Sequence, residues 1–165
     1  MNRKYQKGLS LLEILVVIAI FSILGILVTR SVLLTLRGSK KSESLYKTRE
    51  NLSYATSVIE RHIRNAEVIS SCPFSGSSLI NYVDKNGVIG SFSCLDIDTD
   101  GYIASASARI TSEDVDITSC SFSCESDNSI NPPIVSISVV GQDKNATGIE
   151  NSQVSISTQI QLRSY

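Results

Sequence analysis

Residues 9–28 read LSLLEILVVIAIFSILGILV, and from Ile14 to Val28 no residue carries a charge. As an α-helix these twenty residues rise about 1.5 Å each and span roughly 30 Å, the thickness of a bilayer's hydrocarbon core. The eight residues before them, MNRKYQKG, hold Arg3, Lys4 and Lys7. A short basic segment ahead of an apolar span keeps the amino end cytoplasmic and sends the rest of the chain outward.

A cleaved secretory signal would end in a small-residue site after the apolar stretch. Arg30 and bulky residues follow here instead. A plain signal anchor fits the span but leaves Glu13 unexplained, because a carboxylate inside a membrane helix is costly unless paired and marks a function. The string KGLSLLEILVVIAIFSILGILV (7–28) resembles the class III signal of type IV pilins and type II secretion pseudopilins. The resemblance implies that a dedicated prepilin peptidase cuts on the cytoplasmic side of the apolar stretch. Gly8 would be the last leader residue and Leu9 the new, N-methylated terminus. Glu13 then stands at the fifth mature position, where that family places a glutamate. Leu9 departs from the Phe or Met that the family prefers at its first position.

A cut at that bond creates an α-amino group with an ordinary pKa near about 8, positively charged around neutrality. Glu13 lies four residues further on, one helical turn along the same face. It can pair with its own amine or a neighbour's, and in a dry filament core that pairing would set axial register.

Beyond the span, Leu45, Leu52, Ala55, Ile59, His62, Ile63, Ala66 and Ile69 recur at three- and four-residue spacing, an apolar helical stripe. Glu43 with Lys47 and Glu60 with Arg64 make i, i+4 pairs, and the first proline is Pro73. The pattern predicts one long helix from about Leu9 to about Ile69, loosened at Gly25 and Gly38, a rod of about 90 Å. Residues 9–29 form its membrane or filament-core part. Residues 30–70 form an amphipathic continuation that needs a partner surface.

That surface is residues 71–165, where short strands alternate with turn residues. Candidate strands are 79–83, 88–95, 102–106, 115–122, 134–140 and 154–162, with turns at 85–87 and 98–101 and a polar loop at 141–152. The stretches VSISVV and VSISTQIQL alternate apolar and polar residues, as a half-buried antiparallel sheet does. The fold class is therefore α+β, a long amino-terminal helix packed on a carboxyl-terminal antiparallel sheet, matching the ladle shape that the pilin resemblance implies. The segments Arg49–Ile69 and Arg109–Phe122 resemble minor subunits of the J/W kind.

The four cysteines, Cys72, Cys94, Cys120 and Cys124, all lie in this polar half. Their spacing offers no C-x-x-C metal pair, and an extracytoplasmic setting favours disulfides. Three pairings are open, of which Cys72–Cys94 and Cys120–Cys124 are the favoured ones. Asp96, Asp98 and Asp100 before Gly101 resemble the opening of a calcium loop, but Ser107 stands where the bidentate glutamate belongs. A hairpin turn explains the same residues. Asn51 and Asn145 begin N-x-[ST] triplets, which are common by chance. His62, the single histidine, has no nucleophile tied to it by spacing.

The net charge of −1 gives no bulk attraction to nucleic acid, and no constellation supports an enzyme or calls for a cofactor beyond that weak calcium loop. The expected role is structural: a minor subunit of a type IV pilus, competence pseudopilus or type II secretion pseudopilus. Its expected partners are the prepilin peptidase, an inner-membrane platform protein and other pilins. The alternative is an uncleaved, membrane-anchored extracytoplasmic binding module.

Overall fold

The computed structural model describes residues 10–71, 76–97, 99–125, 133–148 and 151–163. The chain divides into two units, Met1–Ser39 and Lys40–Tyr165. A single helix, α1 (Leu11–Arg64), runs through both.

In the first unit α1 begins immediately after Ser10, whose carbonyl accepts the amides of Glu13 (3.0 Å) and Ile14 (3.3 Å). Its side chains are apolar all round and exposed throughout, from Leu12 (72%) to Phe21 (71%) and beyond. Three of its hydroxyls turn back on the helix. Ser22 donates to the Ile18 carbonyl (2.8 Å), Thr29 to that of Gly25 (2.8 Å) and Thr35 to that of Ser31 (3.0 Å). Such i−4 bonds satisfy a hydroxyl without water, as an apolar medium requires.

In the second unit α1 becomes one-sided. Ser44, Thr48, Leu52, Ala55, Thr56, Ile59 and Ile63 are buried, and the opposite face carries the Lys47–Glu43 and Arg64–Glu60 ion pairs. The helix stops at Arg64, about one turn short of the expected end at Ile69. Asn65 is the break: its side chain caps the Arg61 carbonyl (2.8 Å) and its amide turns back to His62 (3.2 Å). Ala66 and Ile69 keep their apolar role on a strand, β1 (Ala66–Ser71).

Among the described residues seven more strands follow: β2 (Leu79–Asp84), β3 (Ile89–Leu95), β4 (Tyr102–Ser105), β5 (Ala108–Arg109), β6 (Val115–Glu125), β7 (Ile134–Asp143) and β8 (Gln153–Gln161). They form two antiparallel sheets where the sequence suggested one. The first has the order β1-β2-β3-β4-β5 and the second β6-β7-β8. One core, from Leu52 to Leu162, lies between the buried stripe of α1 and the inner faces of both sheets. Phe92 and Phe122 are its largest fully buried side chains. The architecture is α+β and pilin-like, a long apolar helix whose later part packs on antiparallel sheets.

Two local features let the second sheet reach that core. A bulge at Thr118 shifts the β6 register between Ile117 and Ser119, so Val115 and Ile117 face inward before it and Phe122 and Cys124 after it. Gly101 passes so close to β6 that a Cβ would overlap the Ile117 carbonyl oxygen. Its own carbonyl accepts the Ile117 amide (2.8 Å), and its amide donates to Asp116 Oδ1 (2.9 Å).

Candidate functional site

The amino-terminal turn of α1 is where the sequence placed the chemistry. Gly8 and Leu9 lie outside the described residues. Glu13 sits in the first turn and is exposed, where a carboxylate favourably opposes the positive end of the helix dipole. Leu11, Leu12, Ile14, Leu15, Val16 and Val17 around it are exposed too. A carboxylate embedded in an apolar surface of this kind needs a cation once water is removed. From Leu11 onward α1 is long and apolar enough to cross a membrane, and its most apolar stretch is nowhere buried within the chain. Residues 3–29 match the family model of the prokaryotic N-terminal methylation motif. That motif supports a type IV pilin or pseudopilin precursor. It implies processing by a prepilin peptidase and assembly with other pilins, and it marks a structural subunit rather than an enzyme. Together with the apolar helix it fits a membrane-anchored precursor. The match ends at residue 29 and does not reach the sheets. No curated protein and no solved structure matches the chain.

The cysteines are joined differently from the favoured pairing. Cys94 is bonded to Cys120, with Cα atoms 6.0 Å apart. Both favoured bridges, Cys72–Cys94 and Cys120–Cys124, are thereby excluded. The physical reason is extension. Cys120 and Cys124 share strand β6, and four residues of strand cover about 13 Å, twice what a disulfide spans. The observed bond joins β3, the middle strand of the first sheet, to β6, an edge of the second. Cys124 is disulfide-bonded as well, and Cys72 lies outside the described residues.

Of the candidate calcium residues, Asp96 and Asp100 are among the described residues. Asp98 lies outside the described residues. Asp96 adopts φ 53°, and its backbone carbonyl accepts the amides of Thr99 (2.9 Å) and Asp100 (3.0 Å), the work of a turn. Asp100 faces two cations of the chain itself, Lys144 at 3.0 Å and Arg109 at 3.8 Å. Among the described residues no group of three or more His, Cys, Asp or Glu side chains is placed to hold a metal.

His62 lies beside the buried stripe of α1 and is exposed. One residue along a helix is about 100° of rotation, so adjacency to Ile63 does not bury it. Its Nδ1 is 3.1 Å from the Tyr82 hydroxyl, and its ring packs edge-on to Phe92 with centroids 5.8 Å apart. Tyr82 stacks on Phe92 at 5.5 Å and lies across Gly90, its cross-strand partner, where a Cβ would collide with the ring. Burial, and secondarily the nearby Asp84 charge, raise the Tyr82 pKa above its ordinary value. Asp84 is held below its own, chiefly by the Val88 amide (2.9 Å), with the Asn86 amide (2.8 Å) adding to it. These are the bonds of the β2–β3 turn, where Gly87 takes φ 77°.

Three polar residues that the sequence left without a structural role fasten this unit. Asn51 accepts the Ser112 amide (3.1 Å) while donating to the Lys47 carbonyl (3.1 Å), so it pins the segment before β6 to α1. Its position one residue before buried Leu52, on the margin of the stripe, was the available signal. Asp116 takes the Gly101 amide on one oxygen and the Gln142 side chain (3.1 Å) on the other. Arg109 lies over the Tyr102 ring at 4.8 Å and donates to the carbonyls of Thr111 (3.0 Å) and Ser112 (3.1 Å). Asn145 is exposed and holds its own turn, its amide on Asp143 (2.9 Å) and its side chain on Asp114 (3.2 Å).

Proposed function

We propose that the chain is the precursor of a filament subunit. It inserts through residues 9–28, is cut between Gly8 and Leu9, is N-methylated at Leu9 and assembles into an extracytoplasmic helical filament. The observation that carries this reading is the methylation motif at residues 3–29 on a helix that is apolar and exposed on every side. Such a helix needs an apolar surrounding, first a bilayer and then the bundled helices of a filament. A charge pair between the new Leu9 amine and Glu13 of the same or a neighbouring subunit would set the helices in axial register. An inner-membrane platform protein and other pilins are the partners of that step.

The subunit is a minor one, of the J/W kind, in a pilus, competence pseudopilus or type II secretion pseudopilus. The segments Arg49–Ile69 and Arg109–Phe122 and the non-aromatic Leu9 support this. So does the size of the sheet unit, since a bulk subunit must present a surface complementary to itself at every helical step.

The test is co-expression with a prepilin peptidase and intact mass. The expected product lacks residues 1–8 and carries one added methyl group, and a bulky residue in place of Gly8 leaves the chain uncut. Filament-associated protein that keeps Met1 would return the anchored binding module to first place. Quantitative mass spectrometry of sheared filaments reads the stoichiometry: the chain is expected far below the most abundant pilin, and equal abundance ends the minor assignment.

A further inference from the structure

The apolar surface of α1 does not end where the span does. After Val28 come Val32, Leu33, Leu34 and Leu36, all exposed, and among them stand Arg30 and Arg37, exposed as well. A helix turns 100° per residue, so Arg30, Leu33, Leu34 and Arg37 fall on one face. Together they line a shallow groove of about 280 Å³, the two leucines between the two arginines. Ser31 and Thr35 lie on another side of the helix, where the Thr35 hydroxyl donates to the Ser31 carbonyl.

The two guanidiniums have no carboxylate to face. From Ile14 to Ser42 the chain holds no Asp or Glu, so none stands one helical turn from either arginine. Glu43, the first acid beyond them, is paired with Lys47. Among the described residues neither arginine has an ion-pair partner.

We propose that this face binds an anionic phospholipid of the outer leaflet, its phosphate held by Arg30 and Arg37 and its glycerol and upper acyl chain lying against Leu33 and Leu34. The proposal rests on the insertion of residues 9–28. Position selects the occupant. With those residues across the hydrocarbon core, Arg30 stands about 3 Å beyond its outer boundary, inside a headgroup layer roughly 5–8 Å deep. Arg37 is about 10 Å further along, and helical side chains lean toward the amino end, which carries its long stem back toward that layer. Exposed leucines beside arginine stems suit the boundary between acyl chains and headgroups, where the stems lie on apolar surface and the heads reach for phosphate. Chemistry selects the charge. A guanidinium is weakly hydrated, and its planar fork takes two phosphate oxygens at once. A zwitterionic headgroup brings a cation of its own, so two unpaired arginines favour a headgroup of net negative charge. Once residues 1–8 are removed, Arg30 is the first Lys or Arg of the chain, and the basic grip on lipid that remains is on the outer leaflet.

The chain has no tryptophan, so a single introduced one reports on its own surroundings. Leu36→Trp places the reporter beside Arg37 and off the groove, and Leu12→Trp places it at the other end of the span. The full chain with either reporter is inserted into phosphatidylcholine vesicles, with brominated phosphatidylglycerol or brominated phosphatidylcholine as the quencher, and insertion is checked by resistance to alkaline extraction. At position 36 phosphatidylglycerol is expected to be preferred more than about tenfold. Arg30→Gln and Arg37→Gln are each expected to cut that preference about fivefold, and to leave the quenching at position 12 unchanged. Equal quenching by the two lipids at position 36 overturns the proposal, and so does a preference there that is indifferent to both substitutions. The face would then meet something other than lipid, such as an acidic side chain of a neighbouring subunit. A chain that alkali extracts overturns the insertion itself, a separate result from an inserted chain without lipid preference.

Discussion

Replacing Cys94 and Cys120 together by alanine is expected to lower the stability of the sheet unit by about 3–4 kcal/mol. The bond closes a loop with a sequence separation of 26, and constraining a loop of that size in the unfolded chain accounts for most of the effect. The loss should be larger than loop entropy alone implies, because Cys94 is also buried in the core. For a unit of this size the melting temperature falls by roughly 10–15 °C. Thermal unfolding of the double variant measures it, with both residues changed so that no lone thiol remains to reshuffle. Non-reducing peptide mapping of the exported wild type is the companion measurement. It should return Cys94 linked to Cys120 and, with four cysteines in the chain, leave Cys72 as the remaining candidate partner for Cys124. Recovery of a Cys120–Cys124 peptide, or a melting temperature indifferent to the double change, would show that the two sheets are joined otherwise.

The helix was legible because its signals are long-range and redundant. An uninterrupted apolar stretch, an apolar stripe at three- and four-residue spacing and the absence of proline before residue 73 all point the same way over fifty residues. Its end was not. Ala66 and Ile69 continue the three- and four-residue spacing of Ile59 and Ile63, yet Val68 and Ile69 are β-branched and suit a strand equally. What decides between them is tertiary: β2 is there to pair with them. Six of the eight described strands could be read as short runs between turn residues, the last two of them by alternation. β5, two residues long, is too short for any periodic signal.

The cysteine pairing was misread for a related reason. Nearness in sequence is nearness in space across a turn but not along an extended strand. The bulge at Thr118 is equally silent in the sequence, because its extra residue is set by the partner β7 and not by anything in the run DITSC. Asp116 reads as the solvent-facing member of a V-D-I alternation, while in the fold it bonds to Gly101 and Gln142. Polar side chains that fasten one segment to another are set by what arrives beside them, and local patterns do not report arrivals. The amino-terminal turn is the opposite case. There the place of Glu13 in the first turn of α1 follows from spacing within a single helix, whose geometry the sequence already dictates.

Glu13→Val is expected to insert and to be cut normally, yet to enter filaments at least tenfold less than wild type. Insertion should be unharmed or eased, since a charged residue leaves the apolar stretch. Valine costs the helix little at this position, and Ser10 still caps the turn through its carbonyl. The loss falls on assembly. Processing leaves an α-amine at Leu9 that is charged near neutrality, and in a water-free bundle of apolar helices that amine needs the carboxylate. Removing one member of a buried pair costs about 3–5 kcal/mol, because the other charge is left unpaired, and each 1.4 kcal/mol or so is tenfold in an equilibrium. Nothing else in this part of α1 compensates, since from Ile14 to Val28 the helix offers no charge. The measurement is the ratio of sheared-filament to membrane pools, with intact mass confirming the cut at Gly8 in both. Glu13→Gln separates charge from shape: it keeps the size and hydrogen-bonding capacity, and it should assemble poorly as well if the pairing is ionic. Normal incorporation of Glu13→Val would mean that the register of the helices is set by packing alone.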